Sequence, residues 1–401
     1  MIGVHGRGSG APVEIRKTIS FDVPREIVDS FNELQSTLSQ QEQLCVVGNG
    51  EDVKIPASLS LHVARELACI EEEAIQELIS ESKLTASDVL AVGVHDAGLQ
   101  SATAYGVFYQ GLCDAPYLAE QTGMNIVDSF SAKDIAARGN GGPLFPLPSW
   151  IFLKSEMKPR ILVDLGRTAR LTFLPQAENA FSHQKIQQID VVPCGSLLDT
   201  LVWQLTGGKT AVDTGGRFAV QGCQNLQLMS VLRAAVPPKE DWKPTGLKPH
   251  RYLQIADQFA QEGLPYQDIL CSVSCFIAET VAGQILSLMK NTGYAAPELL
   301  IQGSGQQHGL LMNSLMTQLQ HRTLTPVSQL GIPVDTFDAL CTAMLALLAV
   351  DHVPGNLPHL TGSETAKPLG RITQGSITHW HRLLCEMAGT RPASRSLRSA
   401  M

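Results

Sequence analysis

The stretch Asp134-Ile-Ala-Ala-Arg-Gly-Asn-Gly-Gly-Pro-Leu-Phe-Pro146 decides which fold this chain resembles. A single carboxylate opens it, and glycines and a proline constrain the backbone that follows. Glycine lets a backbone approach a ligand closely and adopt positive φ angles. An acid before such a loop, with strand-like sequence upstream, is typical of enzymes that aim a base at a bound substrate. Asp134 is therefore the first candidate for a general base.

Working outward from this stretch, short apolar runs of strand length alternate with longer periodic segments. Strands are predicted over 2–5, 89–94, 125–127, 160–166, 170–175 and 298–302. Helices are predicted over 57–82, 196–205, 268–291, 309–319 and 336–350. The order strand, glycine turn, helix occurs in both halves, and this alternation indicates α/β layers.

Composition limits the functional classes. The 401 residues are 44% hydrophobic and 17% charged, which suits a folded protein of two domains. The formal net charge of −8 argues against nucleic acid or an anionic membrane as the main partner. No segment is expected to reach the roughly 20 apolar residues of a membrane span, and the first residues lack the pattern of a secretion signal.

The cysteines predict a reduced, intracellular protein without a metal. Nine cysteines are scattered, mostly among apolar neighbours, and a cytoplasmic location follows from reduced thiols. Cys271 and Cys275 lie one helical turn apart and could form half of a metal site. No second cysteine or histidine pair has metal-like spacing, so both are interpreted as core residues and no metal site is predicted.

Three collinear segments carry a resemblance to one family. Val92-Gly93-Val94-His95 is similar to the family pattern I-G-x-H, and Asp134–Leu144 to D-I-A-x-G-G-Q-G-A-P-L. Pro354–Pro358, followed by Thr361-Gly362, is similar to P-G-N-L-P-S-V-T-G-A. The chain thus resembles the anhydro-N-acetylmuramic acid kinases and their levoglucosan kinase relatives, of the actin–hexokinase superfamily, from residue 2 to about residue 375.

The resemblance implies an α/β fold of two RNase-H-like domains, with mixed sheets flanked by helices. ATP and an anhydrosugar would bind in the cleft between the domains, and the protein would be a homodimer. The predicted boundaries are 1–158 for the N-terminal domain, 159–375 for the nucleotide-type C-terminal domain with the dimer contact, and 376–401 for a C-terminal tail. Asp134 would take a proton from the water that opens the 1,6-anhydro ring, while the freed hydroxyl receives the γ-phosphoryl group.

Other polar residues near these motifs are candidates for ligand contacts. His95 could orient Asp134 or donate a proton. The predicted ligand-binding residues are Asp96, Lys133, Arg138, Asn140 and Thr245. Structural alternatives stay open: Asp134 could cap the helix or turn that follows, His95 could be structural, and Arg167 and Arg170 could pair with Asp164.

The nucleotide segments depart from the family pattern. The first phosphate loop, S-G-T-S-x-D-G in the family, reads Gly6–Pro12 here and has Ala11 at the aspartate position. The second, N-x-G-G-I-A-N, reads Asp164–Arg170 and has Arg167 at a glycine position. The motif D-T-G-P-G-N becomes Val191–Ser196, and Asp199 lies one residue off the register of the family's downstream aspartate. If nucleotide binding is retained, the residues involved are Gly8, Ser9, Gly166, Arg167, Gly303 and Gly305.

These departures lead to the functional hypotheses. Changes in several phosphate-binding segments predict a kinase-fold protein that has lost ATP-dependent phosphoryl transfer and needs no cofactor. It would bind a small, less polar organic molecule in the cleft and promote an ATP-independent cyclisation or isomerisation by holding a reactive conformer. The alternative is an active anhydrosugar kinase that uses ATP and Mg²⁺. The third hypothesis is a non-catalytic binding or regulatory subunit.

Overall fold

A computed structural model of the chain describes residues 2–5, 14–46, 57–103, 106–179, 181–236, 249–292, 297–333 and 336–389. The strands are β1 (Ile2–His5), β2 (Glu14–Thr18), β3 (Val92–Gly93), β4 (Leu99–Thr103), β5 (Gly106–Gln110), β6 (Ile126–Asp128), β7 (Arg160–Leu165), β8 (Thr168–Leu174), β9 (Gln187–Pro193), β10 (Glu298–Gln302), β11 (Leu324–Pro326) and β12 (Arg371–Thr373). The helices are α1 (Arg25–Val46), α2 (Ala57–Glu81), α3 (Ala115–Thr122), α4 (Phe130–Ala136), α5 (Pro146–Leu153), α6 (Gly195–Leu205), α7 (Leu226–Ala234), α8 (His250–Gln261), α9 (Tyr266–Thr292), α10 (Gly309–Gln318), α11 (Phe337–Val350), α12 (Pro358–Thr361) and α13 (Ile377–Gly389).

The chain divides into two compact units. Unit 1 combines Met1–Phe152 with Thr336–Met401, and unit 2 is Leu153–Asp335. Each unit contains both β-sheet and helices, so the predicted α/β class with mixed sheets is confirmed.

Unit 2 is built on a five-stranded mixed sheet in the order β11-β10-β7-β8-β9. Strands β7, β8 and β9 form an antiparallel meander, while β10 and β11 add parallel strands beside β7. The first strand of the meander, β7, thus lies between the antiparallel strand β8 and the parallel strand β10. The apolar helix α9 lies in the core of this unit, where Phe276, Ile277 and Val281 are fully buried.

Helix α9 also corrects one expectation from the sequence. Tyr266–Lys290 is long and apolar enough to cross a membrane by composition alone, although no such segment was expected. However, 67% of its apolar window is buried inside the protein. Burial of that face against the sheet of unit 2 accounts for its composition, as expected for the core helix of a globular domain.

Unit 1 contains a three-stranded sheet in the order β12-β6-β3, with β3 parallel and β12 antiparallel to β6. Helix α11 packs tightly on β3 at Gly93. A Cβ atom at Gly93 would lie 2.7 Å from the Cβ of Ala346 and 3.0 Å from the carbonyl oxygen of Thr342. The first family segment, 92–95, therefore serves close packing between a strand and a helix.

The pairing of β12 with β6 changes the predicted domain boundaries. Residues 336–375 were assigned to the C-terminal domain, yet they belong to unit 1, because β12 joins its sheet and α11 covers β3. Unit 2 begins at Leu153 rather than at residue 159. The predicted tail also contains structure, since α13 packs on unit 1 and the Asn125 amide donates to the carbonyl oxygen of His379 (3.1 Å).

A group of carboxylates lies inside unit 1. Burial, together with the negative charges of Asp96 and Asp128, raises the pKa of Glu71 on α2 to about 8. Among the described residues, the Glu71 Oε2 atom is buried without a hydrogen-bond partner. A neutral, protonated Glu71 is therefore the form that the folded state favours at neutral pH.

Glu71 predicts a pH-dependent stability. Between the ordinary carboxyl pKa and about 8, the folded protein keeps a proton that the unfolded chain has released. The free energy of unfolding should therefore be highest at acidic pH and fall as pH rises through about 8. We expect a fall on the order of a few kcal/mol between pH 5 and pH 8, measured by urea unfolding. Glu71→Gln should reduce this slope, and Glu73→Gln, on the exposed side of the same helix, should keep it. Equal slopes in the wild type and in Glu71→Gln would contradict the prediction.

Candidate functional site

Asp134 lies in the last turn of helix α4 rather than on the loop where the sequence placed it. Its backbone oxygen accepts hydrogen bonds from Ala137 and Gly139, both at 2.9 Å, and these bonds close the helix. The side chain is fully buried. Its Oδ2 atom accepts from the backbone N–H of Gly141 (3.0 Å), and Oδ1 accepts from the side-chain amide of Asn356 (2.8 Å). The carboxylate therefore fixes the turn that follows α4.

Close packing around this carboxylate explains one glycine of the motif. A Cβ atom at Gly139 would lie 2.1 Å from Oδ2 and 2.6 Å from Cγ of Asp134. Both atoms belong to a side chain that is held by two hydrogen bonds, so neither has room to move. Any larger residue at position 139 would displace the carboxylate.

Asn356 connects the third family segment, Pro354–Pro358, to Asp134. It is 2% exposed, and its Nδ2 atom donates to Asp134 and to the hydroxyl of Ser363 (2.8 Å). Its Oδ1 atom accepts from the backbone N–H of Lys367 (2.7 Å). Asn356 is part of the family motif, but the sequence did not predict it as a site residue. The available signal was a polar side chain between Gly355 and Leu357 in an otherwise apolar segment.

Asn140 joins the same two motifs through backbone contacts. Its backbone N–H and its side-chain amide both donate to the carbonyl oxygen of Thr361, at 2.8 and 3.0 Å. Its own carbonyl oxygen accepts from the side chain of Gln100 (2.8 Å). The predicted ligand contact of Asn140 thus competes with a structural bond that its amide already makes.

The structure puts the remaining predicted residues of unit 1 in different environments. His95 is exposed, and its ring lies 5.5 Å from that of Phe145. Among the described residues, the carboxylate of Asp134 bonds Gly141 and Asn356, and no hydrogen bond joins it to His95. Lys133 is exposed in the last turn of α4. Thr245 lies outside the described residues.

Asp96 combines a satisfied oxygen with an unsatisfied one. Its Oδ1 atom accepts from the backbone N–H of Leu112 (2.7 Å). Its Oδ2 atom is buried without a hydrogen-bond partner among the described residues. A Cβ atom at Gly111 would lie 2.4 Å from this oxygen, so the carboxylate packs directly on the backbone.

The nucleotide-type segments converge in unit 2. The turn between β7 and β8 contains Gly166 and Arg167, and the start of α6 packs against it. The backbone N–H of Gly195 donates to Gly166 (2.9 Å), and those of Cys194 and Ser196 donate to Arg167 (2.9 and 3.1 Å). The structure thus brings together segments that are 29 residues apart in the chain. Gly8 and Ser9 lie outside the described residues.

The loop after β10 meets the same turn. A Cβ atom at Gly303 would lie 2.8 Å from the backbone nitrogen of Gly166, and one at Gly305 would lie 2.7 Å from the carbonyl oxygen of Leu165. Gly303 has a φ of +88°, which favours glycine. Only residues without a Cβ allow this approach, so the two predicted glycines serve the convergence of the loops.

Charged groups surround the converging loops. Burial raises the pKa of Asp199 on α6 to about 6, and the positive charge of Arg167 opposes this rise. Burial raises the pKa of the Cys194 thiol to about 12, with further contributions from Asp164 and Asp199. Arg170 forms an ion pair with Asp190 (2.7 Å). A neutral thiol at the start of α6 is thus flanked by two carboxylates.

Comparison with known proteins decides the family. The family model for anhydro-N-acetylmuramic acid kinase matches residues 12–375. The chain belongs to this kinase family. It is 30% identical over 334 residues to the anhydro-N-acetylmuramic acid kinase of Synechococcus sp. (strain CC9605), covering 81% of this chain and 86% of that protein. It is 28% identical over 387 residues to the Bordetella pertussis protein of the same name, covering 92% and 91%.

Family membership corrects two expectations. The predicted ATP-independent cyclase or isomerase is wrong, because the chain matches kinases over most of its length. The predicted absence of a cofactor is also wrong, since phosphoryl transfer by kinases draws on ATP and Mg²⁺. The substitutions in the phosphate motifs had led to the hypothesis that ATP-dependent phosphoryl transfer is lost. In the structure, the segments of unit 2 still converge through backbone hydrogen bonds and glycine contacts, whereas Gly6–Pro12 lies outside the described residues.

Asn356→Ala should destabilise unit 1. The change removes one of the two donors to a fully buried carboxylate, and an underpaired buried charge is costly. We expect a loss of about 2 to 4 kcal/mol in the free energy of unfolding, measured with urea. A double-mutant cycle with Asp134→Asn should give a coupling of about 1 to 3 kcal/mol. Strictly additive losses would contradict a direct bond between the two side chains.

Arg138→Gly should stabilise the loop. Arg138 has a φ of +64° at a position where the family motif has glycine. A side chain in this region costs about 1 kcal/mol, whereas glycine adopts it readily. We expect a gain of about 0.5 to 1 kcal/mol by urea unfolding. Arg138→Ala is the control. It loses the exposed ion pair with Glu364 but keeps the strained backbone, so it should not stabilise. An equal gain in both variants would contradict backbone strain as the cause.

Proposed function

We propose that this protein is an ATP- and Mg²⁺-dependent kinase that opens the ring of a 1,6-anhydrosugar, of the 1,6-anhydro-N-acetylmuramic acid type, and phosphorylates the freed hydroxyl. The observation that carries the proposal is the family match over residues 12–375, which includes Asp134 and its loop. The homodimer and the cytoplasmic location implied by the sequence remain predictions.

Asp134 is the proposed general base. An ionised carboxylate only accepts hydrogen bonds, and both groups that touch Asp134 are donors. Gly141 and Asn356 therefore orient a carboxylate that can accept a proton from water. As the water oxygen bonds to C1 of the sugar, the bond from C1 to O6 breaks. O6 then bonds to the γ-phosphorus, ADP leaves, and the water proton goes to Asp134.

The loops of unit 2 are the proposed nucleotide site. Phosphoryl transfer depends mostly on positioning and on neutralising charge, so a protein can contribute through backbone donors and a few charged groups. The close approach of Gly303 and Gly305 to the turn between β7 and β8 supports this proposal, because it leaves backbone rather than side chains at the convergence. When bound, the magnesium nucleotide supplies the phosphoryl group.

The test is turnover of 1,6-anhydro-N-acetylmuramic acid with Mg-ATP, followed by phosphorus NMR and by ADP release. The wild type should form a phosphosugar and ADP in equal amounts. Asp134→Asn should lower the rate by about 10²- to 10⁴-fold, because it removes the base. It should still bind nucleotide.

Asp128→Asn is the matched control for this experiment. Asp128 is almost fully buried in the same unit, and it forms an ion pair with Arg371 (2.6 Å). Both Asp128→Asn and Asp134→Asn should lower the melting temperature, but only Asp134→Asn should remove turnover. The proposal would be overturned if the wild type formed no phosphosugar, or if it converted the sugar without ATP.

A further inference from the structure

A buried histidine lies at the end of the loop after β10. His308 follows the turn that contains Gly303 and Gly305, and it is the N-cap residue of helix α10. Its side chain is 8% exposed, and the neighbouring side chain of Asp213 is 1% exposed. The ring therefore lies where the proposed nucleotide loop meets a second segment of unit 2, residues 213–219.

The contacts of the His308 ring define its protonation state. The backbone N–H of Leu311 donates to Nδ1 (3.3 Å), so this nitrogen carries a lone pair. In a neutral imidazole the proton then lies on Nε2, which is 3.6 Å from Oδ2 of Asp213. This separation is too long for a hydrogen bond, and Nε2 has no hydrogen-bond partner among the described residues. The ring is thus held by the helix cap on one side and by attraction to a carboxylate on the other.

Asp213 belongs to a fixed support for this ring. Its Oδ1 atom accepts from the backbone N–H of Phe218 (2.9 Å), and Oδ2 accepts from that of Ala219 (3.0 Å). Gly216, which has a φ of +76°, packs on the ring itself. A Cβ atom at Gly216 would lie 2.8 Å from both Cε1 and Nδ1 of His308. This segment therefore provides the surface against which the loop after β10 is held.

Asp213 is the charged side chain that faces the ring. The loop 303–307 and helix α10 contain no charged residue, and helix α9 meets α10 through apolar core residues. Asp164 lies at the start of the loop, and Arg217 is exposed in the facing segment. The protonation state of His308 therefore depends mainly on burial and on Asp213.

Protonation would remove the helix cap that His308 provides. The second proton would have to go to Nδ1, where it would oppose the N–H of Leu311, because two donors cannot share a hydrogen bond. Burial lowers the pKa of His308 below its ordinary value, and the charge of Asp213 offsets this only in part. Folded unit 2 therefore favours the neutral ring at neutral pH. The cap is lost as the pH falls below the ordinary histidine value of about 6.5 and through this lowered pKa.

We propose that His308 is a positioning residue for the nucleotide: its neutral ring holds the loop after β10 against Asp213 and Gly216, and its protonation releases this loop and weakens nucleotide binding. The inference rests on the nucleotide site of unit 2 proposed above. It deepens that proposal by naming the side chain that sets the loop and the condition that releases it. It does not depend on the identity of the sugar.

The experiment measures how nucleotide affinity depends on pH. ADP with Mg²⁺ is titrated calorimetrically into the full-length protein between about pH 7.5 and about pH 5. Asparagine caps a helix without titrating, so His308→Asn should keep the wild-type affinity at the higher pH. At the lower pH, the wild type should lose at least about threefold more affinity than this variant. The terminal phosphate of ADP and Asp199 also titrate in this range, but both are present in the variant, so the difference isolates His308.

Three further variants serve as controls. His308→Ala removes the cap at every pH, so its affinity should be about threefold to tenfold lower throughout the range. His308→Ser caps without titrating and should repeat the result of His308→Asn, and it replaces that variant if His308→Asn does not fold. His321 is exposed beyond the far end of α10, so His321→Asn should keep the wild-type pH profile. Circular dichroism at each pH shows that every variant compared is folded.

Each outcome separates this inference from the proposed function. An equal loss of affinity at acidic pH in the wild type and in the capping variants would overturn the inference but leave a sugar kinase intact. A loss confined to proteins that keep His308, without any anhydrosugar phosphorylation, would support the inference and overturn the proposed sugar chemistry. A wild type that binds no nucleotide at either pH would overturn both.

Discussion

The hydrogen bond between Asn356 and the buried carboxylate of Asp134 is the constraint on which unit 1 depends. It joins residues that are 222 positions apart, and the side chain of Asp134 is fully buried. A buried charge without partners is expensive, so both donors to Asp134 must be in place before the loop after α4 can close. This requirement couples two motifs that look independent in the sequence. It also makes the final part of the chain necessary for the geometry of the candidate base.

Unit 2 depends on a different constraint, the absence of side chains. Its three converging loops approach one another through glycines, and backbone hydrogen bonds join the turn between β7 and β8 to the start of α6. Such contacts depend on chain path rather than on residue identity. Replacing the polar residues around these loops changes the charges at the site, but it does not change how closely the three loops approach one another. A motif can therefore lose several of its familiar residues and still present backbone to a phosphate group.

Much of the fold could be predicted from the sequence, because strong apolar patterns mark buried elements. Strand β10 has the predicted bounds Glu298–Gln302, and α9 extends the predicted helix by two residues at its start. The hairpin of β4 and β5 was missed, since its sequence from Leu99 to Gln110 is rich in small and polar residues. The domain boundary was wrong because the return of β12 to β6 is a long-range pairing, and local patterns do not encode it. Asn356 was missed as a site residue for the same reason.

The functional hypothesis was wrong for a physical reason. A phosphate site can keep its backbone geometry while the positions of its charged residues change. A phosphate site needs donors and a counter-charge near the transferred group, and electrostatic interactions act over several ångströms. The turn between β7 and β8 still meets the start of α6 and the loop after β10, so a chain with altered phosphate motifs keeps the backbone arrangement of this region.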